Sequence, residues 1–247
     1  MRVRGGQNLY GFSVGILMLD TQFPRIPGEM GNATTFDFPV RYHRVDGASP
    51  DKVVRQGQRA LLPSFIDGAR FLEREGVRAI TTNCGFLAKF QAEMAAAVSV
   101  PVFTSALMLV PLVHRMLAPG RAVGILTVDA SSLKPDHFAG AGIGLDIPTV
   151  VAGLETEKEF TRVMLDDLLE LDVEAARSEH VTVARRLVER HPEIGAIVLE
   201  CTNMPPYRAD IQHVTGRPVF DITTLVRLVH EAVQHGLPPR PVGDAGP

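Results

Sequence analysis

Three short segments of this chain occur twice in the same order, and this duplication constrains the fold more than any other feature of the sequence. An apolar run of four residues, an apolar pair that leads to a cysteine, and a Pro-Val-Phe triplet each have a second copy. The copies are Val14-Gly15-Ile16-Leu17 and Val123-Gly124-Ile125-Leu126, Ala79-Ile80 and Ala196-Ile197, and Pro101-Val102-Phe103 and Pro218-Val219-Phe220. We therefore expect two half-molecules of the same topology.

The two cysteines, the only ones among 247 residues, occupy equivalent points of this repeat. Cys84 follows the first Ala-Ile pair, and Cys201 follows the second. This placement predicts that the halves face each other with one thiol on each side of a cleft. Two thiols in that arrangement could remove a proton on one side of a substrate and deliver a proton on the other.

The bulk composition excludes several classes of function. A formal net charge of −3 gives no polybasic surface, so we expect no nucleic-acid partner. No run approaches the roughly 18 apolar residues that a membrane span requires, so we expect no membrane partner. The apolar stretch near the N-terminus is too short for a secretory signal. A cytoplasmic location is therefore predicted, and with it two free thiols rather than a disulfide.

The alternation of strand-like and helix-like segments predicts the fold class. Apolar runs bounded by glycine or polar residues have the pattern of parallel strands buried on both faces, and helical spacing fills the segments between them. The sequence predicts an α/β protein with two pseudo-symmetric parallel-sheet subdomains and the active site in the cleft between them. The predicted strands are Val14 to Leu19, Val77 to Thr82, Val123 to Val128 and Ile194 to Leu199; the predicted helices are Asp51 to Glu75, Leu87 to Val98, Ser105 to Leu117, Glu159 to Leu169, Val173 to Arg190 and Ile222 to His235.

In two segments the apolar residues show neither helical nor strand-like spacing. The stretch from Thr21 to Asn32 directly follows the first predicted strand and is rich in proline and glycine. A loop of this length in a compact domain is either functional or a passive surface connection. Within it, Arg25 is a candidate clamp for a substrate carboxylate, because a guanidinium binds a carboxylate with two hydrogen bonds. The last residues, Gly236 to Pro247, are predicted to be a disordered tail.

Each cysteine follows an apolar strand and precedes a predicted helix. Open α/β sheets bind ligands at this end of their strands, and the positive end of a helix lowers the pKa of a nearby thiol. We therefore expect reactive thiols rather than buried structural ones. Polar groups beside them could hold a small carboxylate or an oxyanion, or could cap the helices. These flanking residues are Thr81, Thr82, Asn83, Glu200, Thr202 and Asn203.

The pattern of two α/β halves, with Asn-Cys in the first and Cys-Thr in the second, resembles the aspartate/glutamate/hydantoin racemase superfamily. The similarity runs from about Val14 to about His235. It implies a cofactor-independent racemase or epimerase of a small amino acid or hydantoin. In such an enzyme the thiolate of one cysteine removes the Cα proton and the thiol of the other delivers a proton to the opposite face.

The resemblance also implies roles for individual residues. Cys84 and Cys201 become the catalytic acid/base pair. The implied substrate contacts, together with Arg25, are Asp20, Thr21, Asn83, Gly85, Thr127, Thr202 and Asn203. The first subdomain would comprise residues 1–118 plus 221–247, with the C-terminal helix packed back on it, and the second would comprise residues 119–220. A homodimer and a substrate with a carboxylate or hydantoin ring are further implications.

The sequence departs from the glutamate racemase pattern beside both cysteines. Cys84 is followed by Gly-Phe and Cys201 by Thr-Asn-Met, so the histidine that follows the second cysteine in glutamate racemases is missing. The alternatives left open are a maleate cis-trans isomerase-like enzyme of the same fold and a non-catalytic protein that binds a small carboxylate. A redox dithiol protein would require sulfurs close enough to bridge. The related arylmalonate decarboxylases have one cysteine, so two cysteines argue against that activity.

Other chemistries find little support. The eight histidines are scattered without metal-ligand spacing, so we expect them to be surface or satisfied residues and no metal site. Gly140, Gly142 and Gly144 do not follow a predicted strand, which a dinucleotide-binding loop requires. The four lysines give a Schiff-base cofactor no clear position. Asp20 and Asp129 form one more matched pair, which could orient the thiols, bind a substrate ammonium group or cap the strand ends.

Overall fold

The computed structural model describes residue 6 and residues 8–234, and it contains two four-stranded parallel sheets of identical topology. The strands of the first sheet are β1 (Val14–Leu19), β2 (Val40–Val45), β3 (Ala79–Thr82) and β4 (Val102–Phe103), in the order β2-β1-β3-β4. Those of the second are β5 (Ala122–Thr127), β6 (Thr149–Gly153), β7 (Ile194–Leu199) and β8 (Val219–Phe220), in the order β6-β5-β7-β8. The predicted α/β fold with two pseudo-symmetric halves is confirmed.

Helices cover the sheets, and short 3-10 turns introduce several of them. The α-helices are α1 (Leu62–Arg74), α2 (Gln91–Ala96), α3 (Leu109–Met116), α4 (Pro135–Gly140), α5 (Phe160–Leu165), α6 (Val173–Arg190), α7 (Arg208–Thr215) and α8 (Ile222–Gln234). The 3-10 helices are Arg59–Leu61, Gly85–Phe90, Ala106–Met108, Ala130–Ser132 and Pro205–Tyr207, and a π-helical turn spans Asp51–Arg55.

The duplicated glycines explain how helices approach the central strands. Every residue of β1 and of β5 is buried, so both faces of these strands are packed. A Cβ atom at Gly15 would lie 2.9 Å from the Leu72 side chain, and one at Gly124 would lie 3.3 Å from Ile194. The repeated Val-Gly-Ile-Leu segment therefore encodes a close contact between a central strand and the residues packed on it.

The predicted helix from Asp51 to Glu75 is wrong in its first part. The chain makes a π-helical turn, passes through Gly57 at φ +57° and becomes α-helical only at Leu62. A left-handed residue cannot continue a right-handed helix, so the helix is interrupted there. Gly76 ends α1 with φ +83°, as its position after the helical pattern indicated.

The edge strands β2 and β6 were absent from the sequence-based prediction. Most residues of β2 and all residues of β6 are half-buried, and β2 contains two arginines and a histidine. Edge strands have only one paired side and tolerate polar residues, so β2 lacks the continuous apolar pattern of the central strands. The strand β6 is apolar but only five residues long. The predicted bounds of β1 and β7 agree with the structure.

The C-terminal helix α8 lies against the first sheet. Ser13 Oγ and His230 Nδ1 are 2.6 Å apart, and Arg78 Nη1 donates to the Val233 carbonyl at 2.9 Å. The predicted division into residues 1–118 plus 221–247 and residues 119–220 stays a prediction. His235 and the predicted tail, Gly236 to Pro247, lie outside the described residues.

Within the part of the chain that the structure describes, no helix has the length and apolar character needed to cross a membrane.

Candidate active site

Each cysteine occupies a tight turn at the carboxyl end of a central strand. Cys84 lies two residues beyond the end of β3, and Cys201 lies two residues beyond the end of β7. The backbone N–H of Phe86 acts to lower the pKa of Cys84, and the N–H of Asn203 acts in the same way on Cys201. The repeat thus places both thiols in the same local geometry, and both are free.

Contacts between the two turns join the halves of the molecule. The Thr202 hydroxyl donates to the Asn83 carbonyl, so the residue after one cysteine is bonded to the residue before the other. Gly85 lies directly against Glu200, and a Cβ atom at position 85 would overlap both the side-chain and the backbone oxygen of that glutamate. Gly85 is therefore required for the close approach of the turns.

Both thiols line one small pocket. Most of the lining is apolar and comes from both halves. Among the described residues that line the pocket, none is basic. The lining residues are Leu19, Phe23, Pro50, Val54, Asn83, Cys84, Gly85, Phe86, Val128, Met164, Leu165, Cys201, Thr202 and Asn203.

Hydrogen bonds from the loop after β1 to Asp167, which we call the Asp167 clasp, connect the two halves beside this pocket. Asp167 Oδ1 accepts from the backbone N–H groups of Gln22 at 2.8 Å and Phe23 at 3.1 Å. Asp167 has φ +55°, the left-handed conformation that side-chain-bearing residues seldom adopt. The clasp fixes Phe23 from the first half opposite Met164 from the second, and both side chains line the pocket. The loop from Thr21 to Asn32 thus contributes a residue to the pocket wall.

The expectation that a helix terminus lowers the thiol pKa values is wrong. Burial and, to a smaller extent, the neighbouring Glu200 together raise the pKa of Cys84 to about 12, although the Phe86 N–H and Lys89 oppose the rise. Burial also raises the pKa of Cys201 well above its ordinary value, again with Glu200 acting in the same direction. Short 3-10 turns, not long α-helices, follow the cysteines, so the helix field cannot offset the lost hydration.

Glu200 is a site residue that the sequence reasoning did not assign. It is fully buried, and this burial raises its pKa to about 8. Thr127 Oγ1 donates to Oε2 at 2.8 Å, whereas Oε1 has no hydrogen-bond partner among the described residues. An acidic residue directly after a wholly apolar strand was the signal available in the sequence.

A second buried carboxylate, Glu29, is matched by a cation. Arg25 Nη1 lies 2.6 Å from Glu29 Oε1, and Arg25 Nη2 donates to Thr21 Oγ1 at 2.6 Å. Burial raises the pKa of Glu29 to about 6, and Arg25 partly opposes that rise. The guanidinium proposed as a substrate clamp is therefore engaged by a carboxylate of the protein itself.

The structure brings six of the ten predicted site residues to the pocket wall. They are Asn83, Cys84, Gly85, Cys201, Thr202 and Asn203. Thr21, Arg25 and Thr127 lie outside the lining and make the contacts described above, and Asp20 accepts from the Gly47 N–H at 3.1 Å. Asp129, the partner of Asp20 in the repeat, caps the turn at Ser131.

Two asparagines offer polar groups to a ligand. Asn83 Oδ1 accepts from the Leu19 N–H at 2.7 Å, so the group that this side chain can offer is its Nδ2 donor. Asn203 Oδ1 is buried without a hydrogen-bond partner among the described residues. Buried polar atoms are normally bonded, so an unpartnered amide at a pocket wall is a candidate ligand contact.

The histidines differ in part from their prediction as surface or satisfied residues. His137 and His180 are buried, and the Nε2 atom of each lacks a partner within the described region. Burial lowers the pKa of His180 to about 4, so the ring is neutral at physiological pH. No group of three or more potential metal ligands occurs among the described residues.

Comparison with known proteins identifies the family. The family model described as Asp/Glu/hydantoin racemase matches residues 47–227, which include both cysteine turns. The chain belongs to this family. A solved structure of the Gly74Cys mutant of arylmalonate decarboxylase has the same fold, with a TM-score of 0.61 and 19% identity over 92% of this chain and 96% of that one. The resemblance inferred from the paired cysteine motifs is thus confirmed.

Curated relatives share more sequence with the chain than that structure does. A dimethylsulfoniopropionate lyase of Durusdinium sp. clade D is 32% identical over 221 residues, covering 87% of this chain and 72% of the relative. Dimethylsulfoniopropionate lyase 6 of Emiliania huxleyi (strain CCMP1516) is 31% identical over 229 residues, covering 86% of this chain and 57% of the relative. The chain thus spans little more than half the length of the second protein.

These relatives overturn the predicted reaction. The sequence reasoning gave a racemase or epimerase, in the isomerase class, whereas both relatives are named as lyases. The prediction of an amino acid or hydantoin racemase is therefore wrong. The error arose because the paired cysteine motifs define the fold and the position of the thiols, while the reaction depends on the substrate that the pocket accepts.

Proposed function

We propose that this chain is a lyase that cleaves dimethylsulfoniopropionate into dimethyl sulfide and acrylate. The observation that carries the proposal is a pocket with two thiols, a buried carboxyl group in contact with the lining residue Gly85, and no basic side chain among the described lining residues. Such a pocket suits a substrate that is cationic at one end. The names of the two curated relatives support the same substrate.

The reaction is a β-elimination that needs a single base. A cysteine thiolate takes the proton from the carbon beside the substrate carboxylate, and that C–H electron pair forms the carbon–carbon double bond. The bond from the next carbon to sulfur breaks, and its electrons stay on sulfur. Neutral dimethyl sulfide leaves without protonation, acrylate remains, and the thiol then loses the transferred proton to solvent.

The raised thiol pKa values fit this chemistry. A hydrogen beside a carboxylate is weakly acidic, so a strong base is needed, and burial makes the thiolate of Cys84 or Cys201 a stronger base than an exposed one. A sulfonium cation in the same pocket favours the thiolate over the thiol, because opposite charges attract strongly where water is excluded. The substrate thus helps to generate its own base.

The two ends of the substrate have different partners in the pocket. The aromatic ring of Phe86 lines the wall and suits the sulfonium methyl groups, since aromatic faces attract cations. The Nδ2 donors of Asn83 and Asn203 suit the carboxylate, with Thr202 and Gly85 keeping the two turns together. The other predicted contacts act at a distance: Thr127 holds Glu200, and Thr21 and Arg25 hold Glu29.

Incubation of the purified chain with dimethylsulfoniopropionate tests the proposal. We expect dimethyl sulfide in the headspace and acrylate in solution in equal amounts, measured by gas chromatography and proton NMR. The Durusdinium relative assayed in parallel is the positive control. No dimethyl sulfide under conditions in which that relative is active would contradict the proposal. A cytoplasmic location and a homodimer stay predictions from the sequence.

A further inference from the structure

Glu200 is a buried carboxyl group that has no cationic partner among the described residues. It is fully buried at the end of β7, and its one hydrogen bond within the described region comes from the neutral Thr127 hydroxyl. Oε1 has no partner there. Burying a carboxyl group without a cation or a full set of donors costs free energy, so such a group is expected where it serves a ligand.

Glu29 provides the contrast within the same molecule. It is also buried, but Arg25 lies 2.6 Å from Oε1 and the Gly31 N–H donates to Oε2 at 2.7 Å. Both carboxylate oxygens of Glu29 are therefore bonded. The chain thus compensates one buried glutamate internally and leaves an oxygen of the other without a partner.

The unpartnered oxygen of Glu200 faces the pocket wall. It lies so close to Gly85 that a Cβ atom at that position would overlap it. Gly85 lines the pocket, so the carboxyl group is in contact with a lining residue that has no side chain. The thiols on both sides respond to this charge, because Glu200 raises the pKa values of Cys84 and Cys201.

We infer that Glu200 is the specificity-determining residue of this pocket, acting through Gly85 as the counter-charge for the cationic end of an onium substrate. This inference rests on the proposed function and names the residue that selects the substrate class. A cation seated against Gly85 and Phe86 would form an ion pair with the Glu200 carboxylate. A substrate with anionic groups at both ends would instead be repelled, since no described residue of the wall is basic.

Ligand binding should also change the protonation of Glu200. Burial favours the protonated form of the Glu200 carboxyl group at neutral pH, whereas a nearby cation favours its ionised form. The titratable groups at the site are the thiols of Cys84 and Cys201, Lys89, which acts on Cys84, and the buried Glu29, which acts on Cys201. Binding of a ligand with a cationic end is therefore expected to release up to about one proton. Binding of a ligand of the same shape whose corresponding end is uncharged should release none.

Two unreactive analogues of the same shape separate charge from size. Both carry a carboxylate at one end. At the other end 3-(trimethylammonio)propanoate has a trimethylammonium group, whereas 4,4-dimethylpentanoate has an uncharged tert-butyl group with carbon in place of nitrogen. We call them the cationic and the neutral analogue after that second end. Isothermal titration calorimetry at pH 7 gives the Kd of each for the wild type, Glu200→Gln and Glu193→Gln. The last variant removes an exposed carboxylate of equal charge beside the start of β7 and serves as the control.

We expect the wild type and Glu193→Gln to bind the cationic analogue at least about tenfold more tightly than the neutral one. In Glu200→Gln the ratio should fall to the smaller preference that the Phe86 ring alone supplies. The proton release, measured by titration in buffers of different ionisation enthalpy, should disappear. A general structural defect would weaken both ligands equally and would leave the ratio unchanged. Glu200→Met, which keeps the volume, replaces the Gln variant if that variant does not fold.

The inference is overturned if the wild type does not prefer the cation, or if both Glu200 variants keep the wild-type preference. Lyase activity is measured separately on the wild type. Cleavage of the sulfonium substrate with an unchanged ratio in Glu200→Gln removes the inference and leaves the proposed function standing. If the protein does not cleave the sulfonium substrate but its preference for the cationic analogue depends on Glu200, the proposed function is removed and the inference stands.

Discussion

The Thr202 hydroxyl donates a hydrogen bond to the Asn83 carbonyl and thereby ties the turn of one cysteine to the turn of the other. The bond is buried and joins the two halves of the molecule at the floor of the pocket. The relative position of the thiols therefore depends on contacts between the halves as well as on the fold of each half.

Replacing Thr202 by Val should loosen this connection. The variant leaves the Asn83 carbonyl buried without its partner, which costs about 1–3 kcal/mol of unfolding free energy. Urea denaturation measures that loss, and steady-state kinetics should give a lower kcat because the turns no longer hold the thiols in position. Thr202→Ser keeps the hydroxyl and is the control. Equal effects of Val and Ser on both quantities would contradict this role.

Replacing Gly85 by Ala should be more damaging, because the new methyl group overlaps Glu200, including its backbone oxygen. Forcing an extra methyl group into a packed site costs about 1–3 kcal/mol. Thermal unfolding and lyase activity should both fall. Gly195→Ala is the control, since its methyl group would meet mainly the flexible end of Leu117. A fully active Gly85→Ala protein would show that the turns are less closely apposed than the structure has them.

The Asp167 clasp predicts a change in access to the thiols. Asp167→Ala removes the acceptor for the Gln22 and Phe23 N–H groups and also disfavours the left-handed backbone at this position. We expect Cys84 and Cys201 to react with iodoacetamide several times faster in this variant, as followed by peptide mass spectrometry. Asp167→Asn retains an acceptor oxygen and tolerates φ +55°, so it should react at nearly the wild-type rate. Equal rates in all three proteins would argue against a closing function.

Stability should depend on pH through Glu200. Its pKa in the folded protein is raised to about 8 from 4.5, so the stabilisation is fully present below pH 4.5 and is lost as the pH rises towards 8. Glu200→Gln lacks this titration. Its stability relative to the wild type should therefore increase by about 1.4 kcal/mol per pH unit between pH 5 and 7.5. A difference independent of pH, measured by urea denaturation, would refute the assigned protonation state.

Much of the fold could be predicted from the sequence, because the repeat and the apolar runs are local signals. The bounds of β1, β7 and α6 could be read from apolar runs and helical periodicity. Edge strands such as β2 could not, because half-buried strands carry mixed residues. The interruption before α1 depends on the backbone conformation at Gly57, which helical periodicity does not report.

The site was predictable only in part for a similar reason. The strand-end rule and the repeat placed the cysteines correctly, and the pocket wall contains both. The thiol pKa values are raised, whereas the sequence predicted that they would be lowered. Burial of the thiols and the position of Glu200 beside them arise only when the two halves come together. The clasp between Gln22 and Asp167 joins residues far apart in sequence that no local pattern connects.

The most direct test of the account compares elimination from dimethylsulfoniopropionate by the wild type, Cys84→Ser, Cys201→Ser and the double variant. Elimination needs only one base. We therefore predict that the double variant and at least one single variant lose about 1000-fold or more in kcat. Serine is too weakly acidic to form the anion that would replace the thiolate. Melting temperatures show whether each variant is folded. Dimethyl sulfide release at the wild-type rate by the folded double variant would contradict cysteine-catalysed elimination.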